Sequence, residues 1–241
     1  MTGTDTDVGK TAVAVAIARA FVRAGLRVGV YKPVASGVAP GQVAAGDAAR
    51  LWEAAGRPRS IEAVCPQAFA AAIAPPRAAR VEGRRVDERQ LRAGFAAWRD
   101  SSDIVIVEGA GGLYSPLGDT TLNIDLACDL GLPLVLVDAA RLGAIGRTLA
   151  IAEAAAARGL RLAAVVLSQV EPWDDGADDP ASPRAIARHS AEDLADRLRP
   201  VPVTMLLHGA DVIEPEIDWL AVAQAVRLAG GSPGTVSVPP T

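Results

Sequence analysis

The sequence predicts a single-domain α/β fold in which a mostly parallel β-sheet is flanked by helices. Short β-rich runs alternate with longer alanine-rich runs along the 241 residues, the order expected of parallel strands joined by helices. Half of the residues are hydrophobic and only 4% are aromatic, so aliphatic side chains must fill the core, which suits a sheet buried on both faces. The length is enough for one domain with a substantial core.

The hydrophobic pattern places the elements in alternation along the chain. Strands are predicted at Arg27–Tyr31, Asp103–Val107, Pro133–Asp138, Leu162–Leu167 and Val201–Leu206. Helices are predicted at Lys10–Ala24, Asp47–Ala55, Asp87–Asp100, Thr121–Leu130, Ala144–Arg158, Pro183–Leu198 and Glu216–Leu228. We assign residues 1–229 to the domain. We expect the acidic, Gly- and Pro-containing segment Glu171–Ser182 to be mobile and residues 230–241 to form a flexible tail.

The start of the chain departs from this pattern. A phosphate-binding loop normally follows a buried strand, yet here a loop of that kind begins directly after Met1. We therefore expect the first strand of the sheet to be missing. We also expect the chain to be a shortened form of a longer one, at a cost to stability and activity.

Charge and composition exclude several partners. The net charge is −4 and no basic block stands out, which argues against nucleic acid. No apolar run is long enough for a membrane helix, and the first residues lack the pattern of a secretory signal. Cys65 and Cys128 lie far apart without the spacing of a metal site, so we expect two unpaired thiols in a reducing cytoplasm.

The loop Gly3–Thr11 carries the clearest chemical signal. It ends in Gly9-Lys10-Thr11 and opens a long apolar helix, where backbone N–H groups and the helix dipole favour an anion. Lys10 would contact the β- and γ-phosphates of a nucleotide, and the Thr11 hydroxyl would bind Mg²⁺. Five residues, rather than the usual four, separate the glycines. The loop nevertheless predicts a P-loop fold.

A carboxylate and a second lysine end two other predicted strands. Glu108 follows Asp103–Val107 and precedes Gly109-Ala110-Gly111, at the sheet edge where α/β proteins bind ligands, and its oxygens suit Mg²⁺. Lys32 follows Arg27–Tyr31, so it can reach the same crevice as Lys10 and help to stabilise charge on a transferred phosphoryl group. These two lysines are the only ones among 24 basic side chains. Taken alone, Lys32 could equally be an ordinary exposed strand-end residue, whereas the position of Glu108 favours the metal site over an ordinary strand-end acid.

Three blocks in this order resemble the signature of the dethiobiotin synthetase family. They are Thr2–Thr11, with the five-residue loop spacing that the family uses, Tyr31–Gly37 and Val107–Gly112. The similarity continues through Pro116–Asp119, Pro133–Val137 and the turn at Leu142-Gly143, over about the first 165 residues. The resemblance implies an ATP- and Mg²⁺-dependent ligase of biotin biosynthesis. In that reaction 7,8-diaminononanoate takes up CO2 (or bicarbonate) as a carbamate, ATP phosphorylates the carbamate, and the second amine closes the ring.

The resemblance also implies roles for individual residues. Lys32 and Lys10 are the catalytic lysines, and Thr11, Asp47 and Glu108 hold Mg²⁺. Ser36 contacts the substrate, and in a homodimer the turn at Leu142, Gly143, Ala144 and Ile145 offers a helix N-terminus to the tail carboxylate of the substrate. The nucleotide is bound by Thr6, Asp7, Val8, Gly9, Lys10, Thr11, Asp47, Glu108, Gly109, Ala110, Gly111, Ser168 and Gln169.

Two departures from the family pattern concern the nucleobase. Ser168-Gln169 stands where the family often carries an Asn that reads adenine, and Met205–Gly209 replaces a Pro-containing loop. These departures predict some tolerance for nucleoside triphosphates other than ATP.

Three alternative functions remain open from the sequence. A related amidoligase would normally carry a glutamine-hydrolysing domain with a nucleophilic Cys, for which no length remains. A switch ATPase that positions other proteins would have a further Lys early in the loop, where Asp5 and Asp7 stand instead. The third alternative is an inactive, truncated member of the family.

Overall fold

The predicted α/β architecture is confirmed by a computed structural model that describes residues 1–39, 41–43, 46–173 and 179–224. The strands are β1 Thr2–Gly3, β2 Val28–Tyr31, β3 Ala35–Ser36, β4 Ala68–Phe69, β5 Ile104–Val107, β6 Leu134–Ala139, β7 Leu162–Ser168, β8 Val203–Leu206 and β9 Ile213–Glu214. The helices are α1 Lys10–Arg23, α2 Asp47–Ala54, α3 Ile61–Val64, α4 Pro75–Val81, α5 Glu88–Arg99, α6 Asn123–Leu130, α7 Ala144–Ala157, α8 Pro183–Arg197 and α9 Trp219–Gln224.

The main sheet places the ends of six parallel strands along one edge. Parallel pairing joins β1 to β6, β6 to β7 and β7 to β8, and β9 runs antiparallel to β8. Strand β2 pairs in parallel with β5. Met1 joins the two groups, because its amino group donates to Val107 O (2.7 Å) and its carbonyl accepts from Gly109 N (3.1 Å). The spatial order is therefore β2-β5-β1-β6-β7-β8-β9, and the carboxyl ends of the parallel strands share one edge.

The expectation that the first strand is missing is wrong for the described structure. Thr2 and Gly3 form that strand themselves, opposite Leu136 and Val137 of β6. The amide of Thr4 continues the ladder by donating to Val137 O (3.0 Å). Two residues are enough here because their backbone groups have partners on both sides. The strand was not predicted because the side chains of two residues carry no pattern that reveals such pairing.

The remaining differences concern short elements. The strands β3, β4 and β9 and the helices α3 and α4 were not predicted, since two to seven residues carry too little periodicity. Of the helix predicted at Glu216–Leu228, residues 219–224 form α9, whereas residues 216–218 are described and are not helical. Residues 225–228 lie outside the described residues, as do residues 174–178 and the predicted tail at 230–241. Among the described residues, no helix is both long and apolar enough to cross a bilayer.

The core anchors the helix on which the phosphate loop depends. Val13, Ile17 and Phe21 of α1 are buried in one cluster with side chains of the sheet such as Val30 and Val166. Each buried side chain of this size contributes roughly 1.5–3 kcal/mol of hydrophobic stabilisation. The first turn of α1 is therefore held against the sheet edge where the strands end.

Candidate active site

A cavity of about 850 Å³ lies at the carboxyl ends of the parallel strands. It receives residues from the ends of β2, β5, β7 and β8 and from the first turns of α1 and α2. The structure brings together there fourteen residues that were singled out in the sequence, namely Thr6, Asp7, Gly9, Lys10, Thr11, Lys32, Ser36, Asp47, Glu108, Gly109, Ala110, Gly111, Ser168 and Gln169. Val8 lies beneath the loop in the hydrophobic core instead.

The phosphate loop turns into α1 through a left-handed glycine. Gly9 has φ +90°, and a Cβ at this position would overlap Ser168 Oγ, so the end of β7 supports the loop from below. The Lys10 ammonium folds back and donates to Asp5 O (2.7 Å). Burial lowers the pKa of Lys10, which attraction to Glu108 only partly offsets, and the nearby charge of Lys32 lowers it further. An anionic ligand would therefore stabilise the charged form of Lys10.

A buried cluster of charges lies beside the loop. Lys32 is 6% exposed and its Nζ pairs with Glu108 Oε1, which also accepts from the Thr11 hydroxyl (2.8 Å). Asp47 Oδ2 lies 3.6 Å from the same ammonium and comes from the first residue of α2. Burial acts to lower the pKa of Lys32, but Glu108 and Asp47 outweigh it and raise that pKa above its usual value. Lys32 therefore keeps its positive charge although it is buried.

The same cluster fits a divalent cation that is held mainly by phosphate and water. Glu108 is fully buried, and its Oε2 has no hydrogen-bond partner in the structure. No group of three or more His, Cys, Asp or Glu side chains that could hold a metal occurs in the described part of the chain. Thr11 Oγ1, Glu108 and Asp47 offer only a few oxygen ligands, which is the donor set typical of Mg²⁺ sites completed by a nucleotide.

Comparisons with known proteins decide the family. Residues 1–205 match the family model described as an AAA domain. The ATP-dependent dethiobiotin synthetase of Rhodopirellula baltica is 46% identical over 192 residues, which cover 74% of this chain and 74% of that protein. Its counterpart from Anaeromyxobacter sp. (strain Fw109-5) is 41% identical over 214 residues, covering 89% of this chain and 91% of that one.

The chain belongs to the ATP-dependent dethiobiotin synthetase family. The resemblance drawn from the three sequence blocks is thereby confirmed. A nucleotide-binding protein of Archaeoglobus fulgidus, solved with ADP, gives a TM-score of 0.44 at 11% identity over 97% of this chain and 87% of that one, and this similarity is too low to add to the assignment.

In this member of the dethiobiotin synthetase family, the segments that follow β7 and β8 contact each other at one end of the cavity. The side-chain oxygen of Gln169 accepts from His208 N (3.1 Å), and the His208 ring nitrogen Nδ1 contacts Val170 O (3.1 Å). Arg19 of α1 pairs with Asp211 across the same end. Because a backbone N–H can only donate, the Gln169 oxygen is the atom that faces His208, which fixes the orientation of the amide. Ser168 is buried against Gly9 instead.

The turn expected to bind the tail of the substrate lies apart from this cavity. None of Leu142, Gly143, Ala144 and Ile145 lines it. Leu142 is 79% exposed, and Gly143 (φ +89°) precedes α7 as its N-cap. Within one protomer, the structure therefore does not bring the turn together with Lys32 and Ser36.

Several residues at the site were not found from the sequence. Arg19 of α1 pairs with Asp211, and His208 contacts Gln169 and Val170, at the same end of the cavity. These pairings depend on tertiary structure alone. Asp138, which is fully buried and does not line the cavity, was placed in a strand, but its partners were not predicted. The one available signal was a carboxylate at the end of a buried apolar strand, the same signal that identified Glu108.

Proposed function

We propose that this protein converts 7,8-diaminononanoate, CO2 and ATP into dethiobiotin, ADP and phosphate in biotin biosynthesis. The observation that supports this most directly is that Lys32 lies beside Thr11 and Glu108 in the cavity onto which the phosphate loop opens. The family membership supports the same reaction.

The proposed reaction has three balanced steps. One amine of the substrate adds to CO2 and loses a proton, which gives a carbamate. A carbamate oxygen attacks the γ-phosphorus, so that ADP leaves and a carbamic–phosphoric anhydride forms. The second amine then attacks the carbonyl carbon, the bond from carbon to the phosphorylated oxygen breaks, phosphate leaves with that oxygen, and the amine proton passes to solvent.

Two ammonium groups supply the electrostatic part of catalysis. In the proposed reaction Lys10 contacts the β- and γ-phosphoryl oxygens from the loop, and Lys32 contacts carbamate and γ-phosphoryl oxygens from the end of β2. Negative charge gathers on these oxygens in the transition state, so fixed cations stabilise it more than the ground state. Ser36, which lines the same cavity, is the proposed hydrogen-bond donor to the substrate.

We propose Mg²⁺ as the metal and assign Thr11, Asp47 and Glu108 to it. The ion would neutralise charge on the β- and γ-phosphates. The glycine-rich segment at Gly109, Ala110 and Gly111 lets backbone approach the nucleotide closely, since it carries little side-chain bulk.

The remaining assignments concern the assembly and its location. We propose a homodimer in which the turn at Leu142–Ile145 of one protomer binds the substrate's tail carboxylate through backbone N–H groups at the start of α7. The exposure of Leu142 is consistent with an interface at this turn. We place the reaction in the cytoplasm, where Cys65 and Cys128 would remain reduced.

The test is phosphate release from ATP and Mg²⁺ in bicarbonate buffer, with and without 7,8-diaminononanoate, together with mass detection of dethiobiotin. We expect release that requires the diamine and equals the dethiobiotin formed. Release that is independent of the diamine would favour a switch ATPase, and release without dethiobiotin but dependent on another amine would favour a different ligase.

A further inference from the structure

A fully buried carboxylate at the end of β6 connects two separate parts of the protein. Asp138 is 0% exposed. Its Oδ1 accepts from the hydroxyl of Thr4, the residue that opens the phosphate loop after β1, and from the amide of Ala139 (2.8 Å). The guanidinium of Arg147, in the first turn of α7, donates to both carboxylate oxygens through Nε (3.2 and 3.1 Å).

The loop contact fixes the direction in which the phosphate loop leaves the sheet. Thr4 is held at two points, since its amide donates to Val137 O (3.0 Å) and its hydroxyl to Asp138. The loop from Thr4 to Gly9 then leads directly into Lys10. A change in the position of Thr4 would therefore move the backbone N–H groups on which a polyphosphate is bound.

The second contact shapes the turn that follows β6. Besides the ion pair with Asp138, Arg147 donates through Nη1 to Leu142 O (3.3 Å) and through Nη2 to Ala139 O (3.4 Å). One guanidinium thus holds both ends of the segment 139–142. Gly143 makes this possible, because a Cβ there would come within 2.9 Å of Arg147 Nη1.

We propose that Asp138 is a positioning residue that holds the phosphate loop through Thr4 and the turn at residues 142–145 through Arg147. The first half concerns nucleotide binding alone. The second half rests on the proposed function, because it assumes that the turn binds the carboxylate at the tail of the substrate. Asp138 itself touches neither ligand, and its effect on each passes through a different neighbour.

The two contacts can be removed one at a time. Thr4→Val deletes the hydroxyl at nearly constant volume, and we expect it to weaken Mg²⁺·ADP binding about tenfold while the KM for the diamine stays within about twofold. Arg147→Met removes the guanidinium, and we expect the KM for 7,8-diaminononanoate to rise about tenfold with little change in ADP affinity. Asp138→Asn should weaken both.

The chain offers a matched control and a rescue. The hydroxyl of Thr148 contacts the same carboxylate (3.4 Å) but reaches neither the loop nor the turn, so Thr148→Val should leave both ligands close to wild type. Thr4→Ser keeps the hydroxyl and should restore ADP binding. With 2,3-diaminooctane, which lacks the tail carboxylate, Arg147→Met and wild type should have the same KM.

The experiment measures ADP affinity by calorimetry and diamine kinetics by dethiobiotin-type ring closure for all five variants. The proposal is overturned if Thr4→Val weakens ADP no more than Thr148→Val does, or if Arg147→Met weakens both ligands equally. If Asp138→Asn does not fold, the two single-contact variants decide. If wild type closes no ring, the proposed function has failed, while the ADP measurements still test the loop contact.

Discussion

Lys32 and Glu108 form a buried ion pair across the carboxyl ends of the neighbouring strands β2 and β5. The backbone sets this meeting, because Glu108 N donates to Tyr31 O (2.9 Å) and so continues the β2–β5 ladder by one residue beyond its last pair. The pair also includes the Thr11 hydroxyl, which links it to the phosphate loop. The side chains from both strand ends and from the start of α1 therefore meet at one point.

Removing Lys32 should separate stability from catalysis. Lys32→Met leaves the buried Glu108 without its cation, and breaking a buried pair in this way costs about 3–5 kcal/mol of unfolding free energy. Glu108→Gln in the Lys32→Met background removes the stranded charge and should recover much of that loss. Turnover should fall at least about 100-fold in both proteins, since the ammonium is absent from each.

Urea unfolding and steady-state turnover measure the two effects. Recovery of activity together with stability in the double variant would contradict a catalytic role for Lys32. Equal stability of wild type and Lys32→Met would contradict the buried pair.

The phosphate loop depends on glycine at position 9 for two separable reasons. Gly9→Ala introduces a side chain at φ +90° and also drives its Cβ into Ser168, whereas Gly25→Ala, at φ +80°, meets nothing within 4 Å. Gly25→Ala should cost only about 1–2 kcal/mol, the price of the left-handed backbone. Gly9→Ala should cost more and should abolish measurable ADP binding.

Thermal unfolding and ADP titration of both variants check this prediction. Ser168→Gly in the Gly9→Ala background should recover part of the stability by removing the overlap, but not the part due to φ. A Gly9→Ala protein that loses no more stability than Gly25→Ala would show that the contact with Ser168 is not tight.

The stabilisation that Asp103 gives to the neighbouring strands β2 and β5 should be lost in acid. The side chain and backbone N–H of Arg27 donate to the carboxylate of Asp103 and lower its pKa from 3.8 to about 2. Because the folded-state pKa is depressed, the stabilisation is present above about pH 3.8 and is lost as the pH falls through about 2. The pair is solvent-exposed, so the effect is small.

Urea midpoints of wild type and Asp103→Asn between pH 7 and pH 2 test the sign. We expect wild type to be more stable at pH 7, by a constant margin down to about pH 4 that then shrinks towards pH 2. A margin that grows on acidification would contradict the assignment.

The end of the cavity at Gln169 and His208 should discriminate weakly among nucleobases. The oxygen of Gln169 is engaged by His208 N, and within the described residues its amide nitrogen has no protein partner, so it can donate to acceptors found on several bases. We expect at least one of GTP, CTP and UTP to support turnover with a kcat/KM within about 100-fold of that for ATP. Discrimination beyond about 10⁴ against all three would contradict this tolerance.

Features that follow from apolar runs and parallel topology were predicted from the sequence, whereas individual pairings between distant residues were not. The strands ending at Tyr31 and Val107 were predicted from apolar runs, and parallel strands end at one edge, so the proximity of Lys32 and Glu108 followed from topology. Strand β1 was not predicted, because two residues, Thr2 and Gly3, depend wholly on backbone partners far away in the chain. The contact of Asp138 with Thr4 was missed for the same reason.

The most direct test of the central claim follows one oxygen atom. The reaction is started with ¹⁸O-labelled bicarbonate, 7,8-diaminononanoate, ATP and Mg²⁺, and dethiobiotin and phosphate are analysed by mass spectrometry before the label exchanges with water. If the carbamate is phosphorylated, each dethiobiotin is accompanied by one phosphate that carries an ¹⁸O atom. Unlabelled phosphate, or phosphate released without dethiobiotin, would contradict the account.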